Sequence, residues 1–127
     1  MKQKIQLEYS LNAVSGPILW NAISTPTGLQ GWMAEKVDLN DQTFTFEWSK
    51  EEIRHAEIIQ RRTNSHIRLH WTDDEDPKGF FELRMEYNEL TGDYSLIITD
   101  FVDEDEAEEM TDLWDFEVQA LLRQCGM

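Results

Sequence analysis

Scarcity narrows the field before any motif does. The 127-residue chain holds a single cysteine, Cys125, so it can form no internal disulfide and cannot build a thiolate cage for zinc. No base lies near Cys125 in sequence, and it reads as a small apolar residue at a helix end, in keeping with a reducing cytoplasm. Positive charge is also scarce, with 11 Lys and Arg against 26 Asp and Glu, a net charge of -15. Such a surface repels phosphate backbones and anionic bilayers, so no nucleic-acid partner is expected. No run of about 20 apolar residues exists to span a membrane. The opening "MKQKIQLEYSLN" alternates apolar and polar residues where a signal peptide needs a continuous apolar core. There is no internal repeat, linker or low-complexity tract.

What is present suffices for a core. Five tryptophans and a hydrophobic share of 40% lift the composition clear of disorder, and the length fits one domain over residues 1–127 that buries roughly two thirds of its unfolded surface. "KIQLEYSL" sets Ile5, Leu7, Tyr9 and Leu11 on one face, the pattern of a half-buried strand. In "SGPILWNAIS", Ser15 stands as a cap, Pro17 in the first turn, and Ile18, Leu19, Ala22 and Ile23 as a helical stripe. Thr25 and Pro26 start a second short helix, with Leu29, Trp32 and Met33 at i, i+3, i+4.

From residue 36 the period becomes two: "KVDLN", "TFTFEW", "EEIRHAEIIQRRT", "HIRLHWT", "FFELRMEYNEL" and "YSLIITDFV" predict six further strands. Their short connections favour an antiparallel meander. Phe44, Phe46 and Trp48, then Ile67, Leu69 and Trp71, then Phe81, Leu83, Met85 and Tyr87 fall on the expected core face. "YSLIITDFV" is apolar on both faces and is expected in the middle of the sheet. The segment from residue 103 predicts a helix of about 22 residues with a capping box at Asp103 and Glu106, acidic first turns, Arg123 in the last turn and Gly126 as the stop. Met110, Leu113, Trp114, Val118, Leu121 and Leu122 form its apolar face.

No motif announces a chemistry. "DEDEAEE" lacks the glycine and distal glutamate of a calcium loop and reads as a solvated helix start. "DDEDPKG" reads as an exposed turn. His66 and His70 share a strand face with Arg68 but stand about 13 Å apart along it, too far to chelate one metal. His55 has no nucleophile motif beside it. Gly28 and Gly31 in "PTGLQGW" lack the pattern of a phosphate loop and are expected to serve close packing or a turn. No metal and no cofactor is expected. The aromatic and methionine inventory remains: Trp20, Trp32, Met33, Phe46, Trp48, Trp71, Phe81, Met85 and Trp114. Such residues usually make plain core, yet a long helix over a strongly curved sheet leaves space that they would line.

The order of one strand, two short helices, six strands and a long terminal helix resembles the α+β helix-grip fold of the START-like superfamily. Within it "ILWNAISTPTGLQGWMAEKV" resembles the corresponding segment in homologues of the heat-shock-protein ATPase activator. There a tryptophan-bearing helix leads through a Thr-Pro turn to a second helix ending in tryptophan. "EIRHAEII", "IRLHWTDDED", "FFELRMEYNELTGDYSLIITDFVDEDE" and "LWDFEVQALLRQCG" look like a compact bacterial START-like family. The resemblance implies a curved sheet gripping the terminal helix, with a cavity that in many relatives holds lipids, polyketides or other apolar molecules. Some relatives are cyclases or hydrolases and some regulate a chaperone ATPase.

Three functional classes follow. The leading one is a non-enzymatic domain binding a small apolar or amphipathic ligand, with Trp20, Trp32, Met33, Phe46, Trp48, Trp71, Phe81, Met85, Trp114 and Val118 as walls. The second is an acidic interaction or chaperone-regulating module that offers "DDEDPKG" and "DEDEAEE" to a basic partner. The third is a small cyclase or hydrolase, for which Glu47, His55 and Tyr87 are the polar candidates inside the cavity. No catalytic residue is assigned.

Overall fold

Alternating strands and capped helices form where side-chain period and turn chemistry place them. The computed structural model describes residues 2–12 and 14–125. It runs β1 (Lys2–Leu11), α1 (Gly16–Ser24), α2 (Pro26–Leu29), β2 (Lys36–Asn40), β3 (Thr43–Ser49), β4 (Glu52–Arg62), β5 (His66–Trp71), β6 (Phe81–Asn88), β7 (Asp93–Asp103) and α3 (Ala107–Gln124). The seven strands form one antiparallel sheet in the order β1-β7-β6-β5-β4-β3-β2. Strands β2 to β7 are a simple meander, and β1 closes against β7 in the register Leu7↔Ile98.

β7 was expected mid-sheet on its double apolar face; it lies one strand in from the edge, paired with β1 on one side and β6 on the other. Leu96, Ile98, Asp100 and Val102 share the face of Leu7 and Ile5, while Ile97 and Thr99 are buried on the opposite one. Register shifts at Glu47/Ser49 and Ile58/Gln60 bend the middle strands. The second shift pairs Arg61 with Ile67, on the core side, and its guanidinium lies 5.8 Å over the Trp20 ring of α1.

The caps act as the sequence implies at α1 and α2. The Ile18 N–H donates to Ser15 Oγ at 3.3 Å, and the Gly28 N–H donates to Thr25 Oγ1 at 2.9 Å. α2 is shorter than the i, i+3, i+4 spacing implies: it stops at Leu29, because Gly31 takes φ 99° and its N–H bonds to Ala34. Trp32 and Met33 therefore sit on a turn, not on a helix. Gly28 has its own reason, since a Cβ there would fall 1.8 Å from the Asn21 carbonyl oxygen; α2 abuts α1 backbone to backbone.

The expected capping box at the long helix does not form. Asp103 makes no side-chain cap bond; a 3-10 turn, Glu104–Glu106, leads into α3, so the α-helix has 18 residues. Acidic residues do fill its first turn, Arg123 stands in its last, and Gly126 lies outside the described residues. Trp114, Val118 and Leu121 press into the sheet over a core of Phe44, Phe46, Ile67, Leu69, Phe81, Leu83, Leu96 and Ile98. Tyr9 on β1 donates to the Asp115 carboxylate on α3. Tyr87 is 55% exposed at the end of β6, against Tyr94, instead of buried with the core. No helix among the described residues is long and apolar enough to cross a membrane.

Candidate ligand cavity under the long helix

α3 does not close on the whole sheet, and a cavity of about 730 Å³ remains under its first half. The sheet contributes Trp48 from β3, Glu52 and Arg54 from β4, Trp71 from β5 and Asp100 from β7. The turn after α2 contributes residues 31–35, among them Trp32, Met33 and Glu35. From α3 come Met110, Leu113, Trp114 and Glu117, at i, i+3, i+4 and i+7, with Phe116 beside them. Leu113, expected on the buried face, is 46% exposed at this opening, and Phe116 is 70% exposed.

The aromatic walls are fixed by their own N–H groups. Trp32 Nε1 donates to the Ala22 carbonyl, Trp48 Nε1 to the Met33 carbonyl, both at 2.9 Å, and Trp114 Nε1 to Asp100 Oδ2 at 3.0 Å. With those three donors satisfied, the Trp32, Trp48 and Trp114 rings offer the cavity apolar surface. Arg54 lies 4.0 Å over the Trp71 ring, while its Nε and Nη2 reach Asp73 at 2.9 and 2.7 Å.

Polar groups enter at two points. Asp100 is buried; its Oδ1 accepts from the Phe101 N–H at 2.8 Å, and burial pushes its pKa up against the pull of Trp114 and Phe101. Glu117 is pushed up to about 8 by burial and by the neighbouring Asp100. A second, polar hollow of about 570 Å³ adjoins the cavity and shares Arg54, Trp71, Asp100 and Met110 with it. Asp73, Asp74, Glu75, Asp76, Asp103 and Glu106 line it, so the two acidic segments, far apart in sequence, meet there.

Of the residues expected as walls, Trp32, Met33, Trp48, Trp71 and Trp114 line the cavity. Phe46, Phe81 and Val118 are fully buried. Phe46 lies 6.0 Å from Trp48 and 5.5 Å from Trp71, and Phe81 5.0 Å from Trp71 and 6.0 Å from Trp114, so both rings back the walls. Met85 belongs to the buried core and Trp20 packs on it from α1; neither lines the cavity. Glu47, His55 and Tyr87 are not brought together there: Glu47 and His55 point to the outer sheet face, His55 bonded to Thr45, and Tyr87 lies at the end of β6. His66 and His70 also face outward, bonded to Ser65 and Gln60 and to the Gly79 carbonyl. Among the described residues no group of three or more His, Cys, Asp or Glu could hold a metal ion.

Asp100, Glu117 and Arg54 escaped the sequence reading, although two left a trace. Asp100 is the one acid on the apolar face Leu96, Ile98, Asp100, Val102, and Glu117 continues the helical stripe Met110, Leu113, Trp114. A carboxyl inside an apolar period is the signal.

The profile of the START-like superfamily domain matches residues 1–127. This chain belongs to the START-like superfamily. Among solved structures, the START-like domain is 56% identical to a protein from Bacteroides fragilis determined by solution NMR, covering 99% of this chain and 93% of that one with a TM-score of 0.69. The Aha1 dimer from Colwellia psychrerythraea superposes with a TM-score of 0.79 at 13% identity, over 97% and 96% of the two chains. DynU16, a protein in the dynemicin biosynthetic locus, gives 0.77 at 12% identity over 94% of this chain and 46% of its own. These last two establish likeness of fold. No curated protein matches the sequence.

Proposed function

We propose that this START-like domain binds one small apolar or amphipathic molecule in the cavity between sheet and α3, as a binding domain without catalysis. The observation that carries the reading is the four-tryptophan wall of Trp32, Trp48, Trp71 and Trp114 around about 730 Å³, within the usual range for a ligand site. Phe46, Phe81 and Val118 support that wall from behind, and Met33 and Met110 supply adaptable surface. The single cysteine accords with a reducing cytoplasmic setting. Titration of the purified protein with a panel of fatty acids, fatty alcohols, alkylamines, sterols and polycyclic aromatics, read by tryptophan fluorescence and native mass spectrometry, tests it. A one-to-one adduct with a fluorescence change is expected, and silence across the panel overturns it.

A second reading rests on the meeting of Asp73 to Asp76 with Asp103 and Glu106 around one hollow. There the domain docks a basic partner protein, a chaperone among the candidates. Capture that weakens as salt rises supports this, and a salt-insensitive partner counts against it.

A further inference from the structure

The charges around the cavity specify more than an apolar guest. Four acidic side chains face it: Glu35 from the turn after α2, Glu52 from β4, Asp100 from β7 and Glu117 from α3. Against them stands one base, Arg54, and its guanidinium is engaged by Asp73 through two hydrogen bonds. Among the described residues, none of the four carboxyls takes part in an ion pair. The adjoining hollow adds six acids against Lys2, which lies 3.9 Å from Asp103, and the same Arg54. Beside the carboxyls stand the Trp48 and Trp114 rings, while the Trp71 ring is already covered by Arg54 at 4.0 Å and stacked on Phe81 at 5.0 Å.

Building on the reading of the cavity as a ligand site, we infer that its ligand is a cationic amphiphile. An alkyl or aryl body lies against the tryptophans, and an amine or quaternary ammonium head sits beside Asp100 and Glu117. The physical reason is complementarity. A carboxylate head would meet four acids and no available base, and a neutral head would gain nothing from their charge. A cation supplies a counter-charge and packs beside the Trp48 and Trp114 rings that line the cavity. Burial and Asp100 hold Glu117 up to about 8, so a cation bound beside it favours ionisation and binding releases a proton. Burial and Asp100 set this titration, and the other charged groups that face the cavity with Glu117 are Glu35, Glu52 and Arg54.

Three probes of equal chain length decide it: decyltrimethylammonium and decanoate, each below its micellar concentration, and decanol below its solubility limit. Binding is read by tryptophan fluorescence and native mass spectrometry between about pH 6 and pH 9, a range that spans the Glu117 titration. Decyltrimethylammonium, whose charge does not titrate, is expected to bind one-to-one at least about tenfold tighter than decanol at pH 9. Its affinity should rise with pH through about 8, while decanol stays nearly flat and decanoate binds weakest. In the Glu117→Gln variant the pH slope for the cation should flatten and its advantage over decanol shrink several-fold, with an unchanged circular dichroism spectrum as the sign of an intact fold. Decanol or decanoate binding as tightly as the cation overturns the inference and leaves the ligand cavity standing. So does cation uptake beyond one equivalent that is undiminished in Glu117→Gln, because that reports only attraction to the acidic surface. If none of the three binds, the ligand reading falls and this one with it.

Discussion

Trp114 Nε1 on α3 and Asp100 Oδ2 on β7 are joined by a buried hydrogen bond of 3.0 Å, which fixes the long helix to the sheet at the floor of the cavity. Trp114→Phe keeps an aromatic ring but removes the donor and part of the buried ring volume, leaving a carboxyl oxygen unmet, and should cost about 2–4 kcal/mol in urea unfolding. Asp100→Asn keeps one acceptor, for the indole, but turns its amide NH2 toward the Phe101 N–H that Oδ1 accepts at 2.8 Å. A loss of about 1–3 kcal/mol is expected, and a cost within error would show that the Phe101 contact contributes nothing.

Stability should depend on pH through Glu117. Its folded pKa of about 8 lies above the ordinary 4.5, so the folded state holds the proton more tightly than the unfolded chain. The stability this confers is complete below about pH 4.5 and is lost as pH rises through about 8. Glu117→Gln should therefore melt higher than the parent at pH 9, on the order of 5 °C, with the difference shrinking toward pH 5. Because the other acids are common to both proteins, the difference between the two melting curves reports Glu117 together with its coupling to Asp100.

Gly28→Ala should be among the most damaging single-methyl changes. The added carbon would lie 1.8 Å from the Asn21 carbonyl oxygen and 2.7 Å from the Ala22 Cα, both backbone atoms, so α2 must lift off α1. A loss on the order of 3 kcal/mol or more is expected in chemical denaturation. Thr25→Ala, which removes the cap on the Gly28 N–H but keeps the close approach, should cost only about 1 kcal/mol.

Trp71 and Trp20 should separate wall from core. Trp71 faces the cavity and stacks on Phe81 at 5.0 Å, whereas Trp20 lies outside it under Arg61. Trp71→Ala should weaken decanol binding about tenfold, in line with the loss of one aromatic wall. Trp20→Phe should leave decanol affinity unchanged within error. Equal effects of the two substitutions would place the ligand elsewhere.

Most of the framework was legible because it rests on short-range pattern. Strand alternation from Ile5 to Leu11 and from Phe44 to Trp48, the Ser15 and Thr25 caps, and the stripe from Met110 to Leu121 are all set by neighbours within a few residues. Where local pattern misled, a distant or backbone effect won. Gly31 turned the chain before Trp32 could join α2, and the 3-10 turn displaced the expected Asp103 cap.

By itself, the sequence determined the order of elements, the buried face of β1, β3, β5 and β6 and the excess of acid, because each depends on side-chain identity and spacing along the chain. Only the tertiary structure decided which tryptophans stand around open space and which side chains back them. It alone set Glu117 on one turn of α3 beside Asp100 on β7, and brought residues 73–76 next to residues 103–106. Those juxtapositions arise from the curvature of the sheet and the path of α3 across it, and a carboxyl's environment is set by what surrounds it in space, not by what precedes it in the chain.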